Sequence, residues 1–161
     1  MHPRAQALIT QLGLQPHPEG GYYGEVFRSG RQVLRQPDGL ARSALTSIFF
    51  LLPRGATSCW HRVAHADEAW HHYEGAPVAL HVLLPGAAQA EAWLLGPIGD
   101  AHPGALPARV VPADAWQAAR PLGDYALVGC TVGPGFDFAD FAMARDLSAG
   151  ERPAALDPAL L

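Results

Sequence analysis

From residue 22 onward, apolar residues come in short runs that alternate with polar ones, and each run is closed by glycine or proline. A period of two between turn residues predicts β-strands, because successive side chains on a strand point to opposite faces. The pattern places strands at about 22–28, 43–52, 58–63, 68–73, 78–84, 91–95, 109–111, 116–118, 125–132 and 138–143. Ahead of them Ala5, Leu8, Ile9 and Leu12 recur at helical spacing with Gly13 behind, which predicts a short helix over 4–13. Residues 15–21, Gln-Pro-His-Pro-Glu-Gly-Gly, form a turn cluster between the two patterns. Short strands with few long connections predict an all-β antiparallel sandwich or barrel. Nothing alternates with helices as a parallel doubly wound sheet requires. The segment 96–107, with three glycines and three prolines, is the longest expected loop and a candidate cover for a barrel mouth.

Composition narrows this to one domain. The chain has 161 residues, 49% of them hydrophobic, and a mean hydropathy of +0.04, which suits one core. The expected domain covers residues 1–147, and 148–161 mix proline, alanine and charge as a loosely docked tail. A net charge of −4 with arginines scattered singly argues against nucleic-acid and anionic-membrane partners. The first residues lack a basic leader with a long apolar run, and the longest apolar run, 48–53, is too short to cross a bilayer. A cytoplasmic location is the expectation. Of the two cysteines, Cys130 lies in an apolar run and reads as a buried thiol. The chain has no lysine and no asparagine, which removes lysine Schiff bases and P-loop lysines.

The stretch from Gly55 to Gly75 carries the candidate chemistry. Alternation puts Cys59, His61 and Val63 on one face of their strand, and Glu68, Trp70 and His72 on one face of the next. If both faces point inward, imidazole and carboxylate meet in one cavity. A buried carboxylate is costly unless it is paired, hydrogen-bonded or metal-bound, so an inward Glu68 marks either a site or a structural hydrogen bond. His81 reads as a wall residue, Glu19-Gly20-Gly21 as a turn, and Phe136, Phe138 and Phe141 as core before pocket wall. Arg28 and Arg42 are candidates for meeting an anion at a mouth.

The spacing Gly55, His61, Glu68, Gly75 resembles the first signature of the cupin superfamily. The wording HPEGGYYGEVFRS at 17–29, SIFFLL at 47–52, WHRV at 60–63, DEAWHHYEGAPVALHVL at 67–83 and WQAARP with YALVGCTVGPGFDFADFAMA from 116 to 144 resembles its small stand-alone cupin-5 group, a domain of unknown function. The resemblance implies a double-stranded β-helix, a jelly-roll (RmlC-like) barrel, and a homodimer. It also marks two departures: Val63 stands where a second histidine is usual, and Gln117 where the second motif's histidine is usual.

The expected function is binding of a small polar ligand, carbohydrate-like by superfamily analogy, with isomerisation or epimerisation as the reaction. In that reading His61 is the general base, Glu68 orients it or serves as acid, and Trp70, His72 and Gln117 contact the ligand. One alternative is a divalent-metal enzyme, a dioxygenase or metal isomerase, with the ion held by His61, Glu68, His72 and Gln117. Another is a non-catalytic binding or storage module.

Overall fold

The computed structural model describes residues 1–161. It opens with helix α1, Pro3–Leu12, where the His2 ring accepts from the Arg4 N–H, proline stands in the first turn, and Gly13 closes the end at φ 61°. Thirteen strands follow: β1 (Gln15–Pro16), β2 (Tyr22–Arg28), β3 (Gln32–Leu34), β4 (Ala41–Ser43), β5 (Thr46–Pro53), β6 (Ser58–Val63), β7 (Asp67–Gly75), β8 (Val78–Leu83), β9 (Glu91–Leu95), β10 (Ala108–Val111), β11 (Trp116–Pro121), β12 (Tyr125–Gly133) and β13 (Phe141–Met143).

Two antiparallel sheets face each other, ordered β1-β2-β5-β12-β7-β10 and β13-β6-β11-β8-β9, with β3 and β4 forming a separate ribbon. Strands far apart in sequence pair, as β5 does with β12 and β6 with β11, which is the wrapping of a jelly roll. The expected barrel is corrected in one respect: the two sheets are not closed into one another. Between them lies a core of Phe50, Leu52, Trp70, Val78, Leu80, Val82, Leu95, Val128 and Cys130, all from inward positions.

Both outer faces are partly covered. Helix α1 lays Ala5 and Leu8 against Leu51 and Leu127 on the larger sheet. The C-terminal segment covers the smaller sheet, where Leu156 and Leu160 pack with Trp60, Leu83, Trp116 and Ala118, and the Trp60 indole donates to the Asp157 carbonyl at 3.1 Å. Residues 148–161 thus pack on the outer face of the smaller sheet through Leu156 and Leu160.

Three local readings differ from the sequence expectation. The run 43–52 divides into β4 and β5, residues 138–140 form a 3-10 turn ahead of β13, and β3 and β4 make a ribbon the pattern does not announce. All three β3 residues are exposed, so no inward face imposes an alternating pattern there. The ribbon nonetheless fixes something. Arg42 holds both carboxylate oxygens of Asp140, at 2.8 and 3.0 Å, and Arg35 pairs with Asp38 and Asp140. Arg42 is therefore engaged with Asp140 and not presented to an anion. No helix is long and apolar enough to cross a membrane.

Candidate functional site

A cavity of about 370 Å³ opens between the two sheets. Its floor comes from the inward positions of paired strands: Thr46 and Ile48 on β5, Cys130 and Val132 on β12, Glu68 on β7, and His61 and Val63 on β6. Its rim is built by Tyr23, Glu25 and Arg28 of β2, the turn residues His17 and Glu19, and the segment Phe136–Phe141. The loop 96–107, expected as a cover, contributes no lining residue.

Two backbone devices bring polar groups to the floor. The register between β6 and β11 shifts, with Gln117 opposite His61 but Ala119 opposite Ser58. The extra residue of this bulge turns Ser58 to the same side as His61, where strict alternation would oppose them. The second device is Gly20-Gly21, at φ 109° and 70°; a side chain at Gly20 would collide with the Thr57 carbonyl. With Cys59 N–H donating to the Glu19 carbonyl at 2.8 Å, the turn lies flat on β6 and drives the Glu19 side chain inward.

The hydrogen bonds determine the protonation pattern. The Cys59 carbonyl, which only accepts, lies 2.9 Å from His61 Nδ1, so in neutral His61 the hydrogen is on Nδ1 and Nε2 keeps a bare lone pair. Glu19 Oε2 sits 3.3 Å from that Nε2 and 3.5 Å from His17 Nδ1. His17 Nδ1 accepts the Glu19 backbone N–H at 3.3 Å, so it too bears a lone pair. Ser58 Oγ donates to Glu19 Oε1 at 2.8 Å. Two lone pairs facing Oε2 call for a proton on that oxygen, and burial supplies it by pushing the Glu19 carboxyl up to about 8. Burial also lowers His61, and takes His17 down to about 4 with help from His61. Glu68 is raised by burial, against the pull of His61. Neutral His17 and His61 imidazoles therefore stand beside a protonated Glu19 carboxyl near neutral pH.

The sequence-predicted residues separate into three groups. His61 and Glu68, 2% and 7% exposed, both line the cavity. Trp70 and Gln117 lie behind it: the Trp70 indole donates to Gln117 Oε1 at 2.9 Å, and Gln117 Nε2 donates to Glu68 Oε2 at 2.5 Å. This relay spends both ends of the Gln117 amide, so neither residue is placed to touch a ligand. His72 does not join the site. It shares a strand face with Glu68 but is four residues along, about 13 Å at 3.3 Å per residue, and its Nε2 pairs with the Ala76 carbonyl at 3.1 Å.

The ligand set His61, Glu68, His72 and Gln117 therefore does not converge: His72 lies four residues further along β7 and pairs with the Ala76 carbonyl, and the Gln117 oxygen faces Trp70. No group of three or more His, Cys, Asp or Glu side chains is arranged to hold a metal ion. The donors present do not fit one.

Sequence reasoning missed Glu19 and His17, and placed Phe136, Phe138 and Phe141 in the core first. A signal for Glu19 existed in the two glycines that follow it, since paired flexible residues beside a carboxylate can fold a turn inward as readily as outward. Arg28 does reach the rim, but Glu25 takes it at 2.8 and 3.2 Å and the Phe136 carbonyl at 3.0 Å.

Comparison with known proteins agrees with this architecture. A hypothetical protein from Leishmania major is 35% identical, with a TM-score of 0.78 over 86% of this chain and 85% of its own. A Shewanella oneidensis protein is 34% identical, with a TM-score of 0.75 over 86% and 83%. Lactobacillus farciminis oxalate decarboxylase, at 12% identity and a TM-score of 0.55 over 84% of this chain and 34% of its own, shares the fold alone. No functionally curated protein matches the chain. The family described as "Cupin superfamily (DUF985)" matches residues 6–144. With that span and those two relatives, the chain belongs to the DUF985 family of the cupin superfamily.

Proposed function

We propose that the protein binds a small ligand in the His61–Glu19–Glu68 cavity and moves a proton on it, an isomerase- or epimerase-type reaction. The observation that carries this reading is the bare Nε2 of a neutral His61 beside a protonated carboxyl 3.3 Å away, a base and an acid on one cavity wall. His61 Nε2 takes a proton from a carbon or hydroxyl next to a carbonyl, and the Glu19 carboxyl, or that of Glu68 when protonated, returns one to the neighbouring atom. A proton passed from the imidazolium to the carboxylate restores the starting state. The Trp70–Gln117 relay, by donating to Glu68 Oε2, fixes the orientation of the Glu68 carboxyl beside them.

The test begins with natively purified protein, denatured and searched by mass spectrometry for a released small molecule. Folded His61→Ala and Glu19→Gln variants are expected to lose that molecule. Retention by both at wild-type stoichiometry removes them from the site. In heavy water the ligand gains deuterium with wild type and none with His61→Ala. Tight binding without exchange over hours favours the storage reading instead.

The same reading includes a homodimer. Val26, Phe27, Leu34 and Leu40 are exposed within one segment, 26–45, and apolar exposure of that kind favours burial against a second copy. Solution scattering should return about twice the 17.1 kDa chain mass, and a monomer ends the claim.

A further inference from the structure

Charge around the cavity is unbalanced. Four carboxyl side chains line it, Glu19, Glu25, Glu68 and Asp137, against a single guanidinium, Arg28. That guanidinium is consumed by Glu25 and by the Phe136 carbonyl. Glu19 and Glu68, 6% and 7% exposed, have no arginine partner, and the chain has no lysine. The neighbouring imidazoles do not supply the missing charge, because burial lowers the affinity of both His17 and His61 for a proton. Cys130, the other titratable group on the floor, is a thiol whose ionisation burial opposes. A ligand carrying negative charge would meet carboxyls and no free cation.

Aromatic faces complete the pattern. Phe136, Phe138 and Phe141 stand nearly perpendicular to one another, with centroids 5.0, 5.8 and 6.0 Å apart and interplanar angles of 82°, 68° and 80°. All three border the same cavity as the carboxyls, and Phe138 is more than half exposed at its rim. The Asp140 clamp from Arg35 and Arg42 fixes the segment that carries Phe138 and Phe141. Aromatic faces attract cations through their quadrupoles, and carboxyls do so through charge once ionised, so both halves of the lining select the same ligand.

We propose that the cavity takes a small organic cation, its ammonium group seated between the Glu19 and Glu68 carboxyls and the rings of Phe136, Phe138 and Phe141. The inference rests on the cavity being the ligand site and adds the ligand's class. It carries a linkage consequence. A bound cation favours carboxylate over carboxylic acid, so with Glu19 at about 8 in the empty cavity, binding at lower pH releases a proton, and affinity rises as pH approaches that value.

The test is calorimetry on wild-type protein with three probes of one shape: choline, its uncharged carbon analogue 3,3-dimethylbutan-1-ol, and the anion 3,3-dimethylbutanoate. Choline should bind at least about tenfold tighter than the alcohol, and the anion should not bind. At about pH 6.5 choline binding should release protons, read from buffers of different ionisation enthalpy, and at about pH 8.5 the release should fade while affinity increases. Glu19→Gln should lose the proton release and about tenfold in choline affinity, with the alcohol unchanged. The wild-type comparison stands even if that variant does not fold. Equal or tighter binding of the alcohol or the anion, no saturable choline binding, or no proton release at the lower pH overturns the inference. Alcohol binding as tight as that of choline, and abolished by His61→Ala, would overturn it while leaving the cavity reading intact. Probe binding indifferent to both His61→Ala and Glu19→Gln would bring down the two together.

Discussion

Glu19 and His17 respond to burial in opposite senses on the pH axis. The His17 imidazole falls from its usual 6.5 to about 4, so its contribution to stability is complete above 6.5 and is lost as pH falls through 4. The Glu19 carboxyl rises from 4.5 to about 8, so its contribution is complete below 4.5 and is lost as pH rises through 8. The two slopes oppose each other between 4.5 and 6.5, and above 6.5 only the carboxyl side remains, reinforced by Glu68. Thermal melting should therefore be highest in that middle window and fall toward pH 8, with about 2 kcal/mol at stake over the alkaline limb. Glu19→Gln should flatten the limb; a limb of unchanged steepness in that variant would show that Glu19 is not the buried acid. Of the residues involved, His61 and Glu68 were legible from spacing alone. Glu19 was not, because a carboxylate in a turn is ordinarily solvated, and only contact with β6 makes this one buried.

Elements show where strand periodicity holds and where it stops. The bounds of β2, β6 and β9 were read to the residue, although burial along none of the three alternates strictly. A period of two misplaced Ser58, because one extra residue in β6 reverses the facing of what precedes it. Alternation also grouped His72 with Glu68 correctly by face and wrongly by site, since a face extends the whole length of a strand. The C-terminal segment follows no period and reads in sequence as a loosely docked tail, and in the structure Leu156 and Leu160, 5% and 3% exposed, pack with Trp60 and Trp116. Leu160→Ala should cost about 2–5 kcal/mol as a buried cavity. Removal of 148–161 should lower the melting temperature and shift tryptophan emission to the red. Unchanged melting and emission in the truncated chain would show that the segment does not cover the sheet in solution.

For the molecule as a whole, the order of strands follows from a few pairings that join distant parts of the chain. Those between β5 and β12, and between β6 and β11, set the facing sheets and so bring Glu68, Cys130, Val132, His61 and Ile48 to one end of the sandwich. Spacing between motifs identified the family because a glycine, histidine or glutamate at a fixed interval along two consecutive strands, one in each sheet, meets the same neighbours wherever those strands are packed the same way. Whether the sheets close was not legible, because closure depends on stagger and tilt accumulated over all strands, which no single run encodes.

The sequence by itself determined the β architecture, the short N-terminal helix, the family, and the presence of His61 and Glu68 on inward faces, all of which are local or near-local properties of pattern and spacing. Only the tertiary structure decided that Glu19 lines the same cavity as His61 and Glu68, that Trp70 and Gln117 lie behind it, and that His72 stands outside it. It alone set the balance of charge in the cavity, because burial and pairing depend on which distant segments are laid against one another.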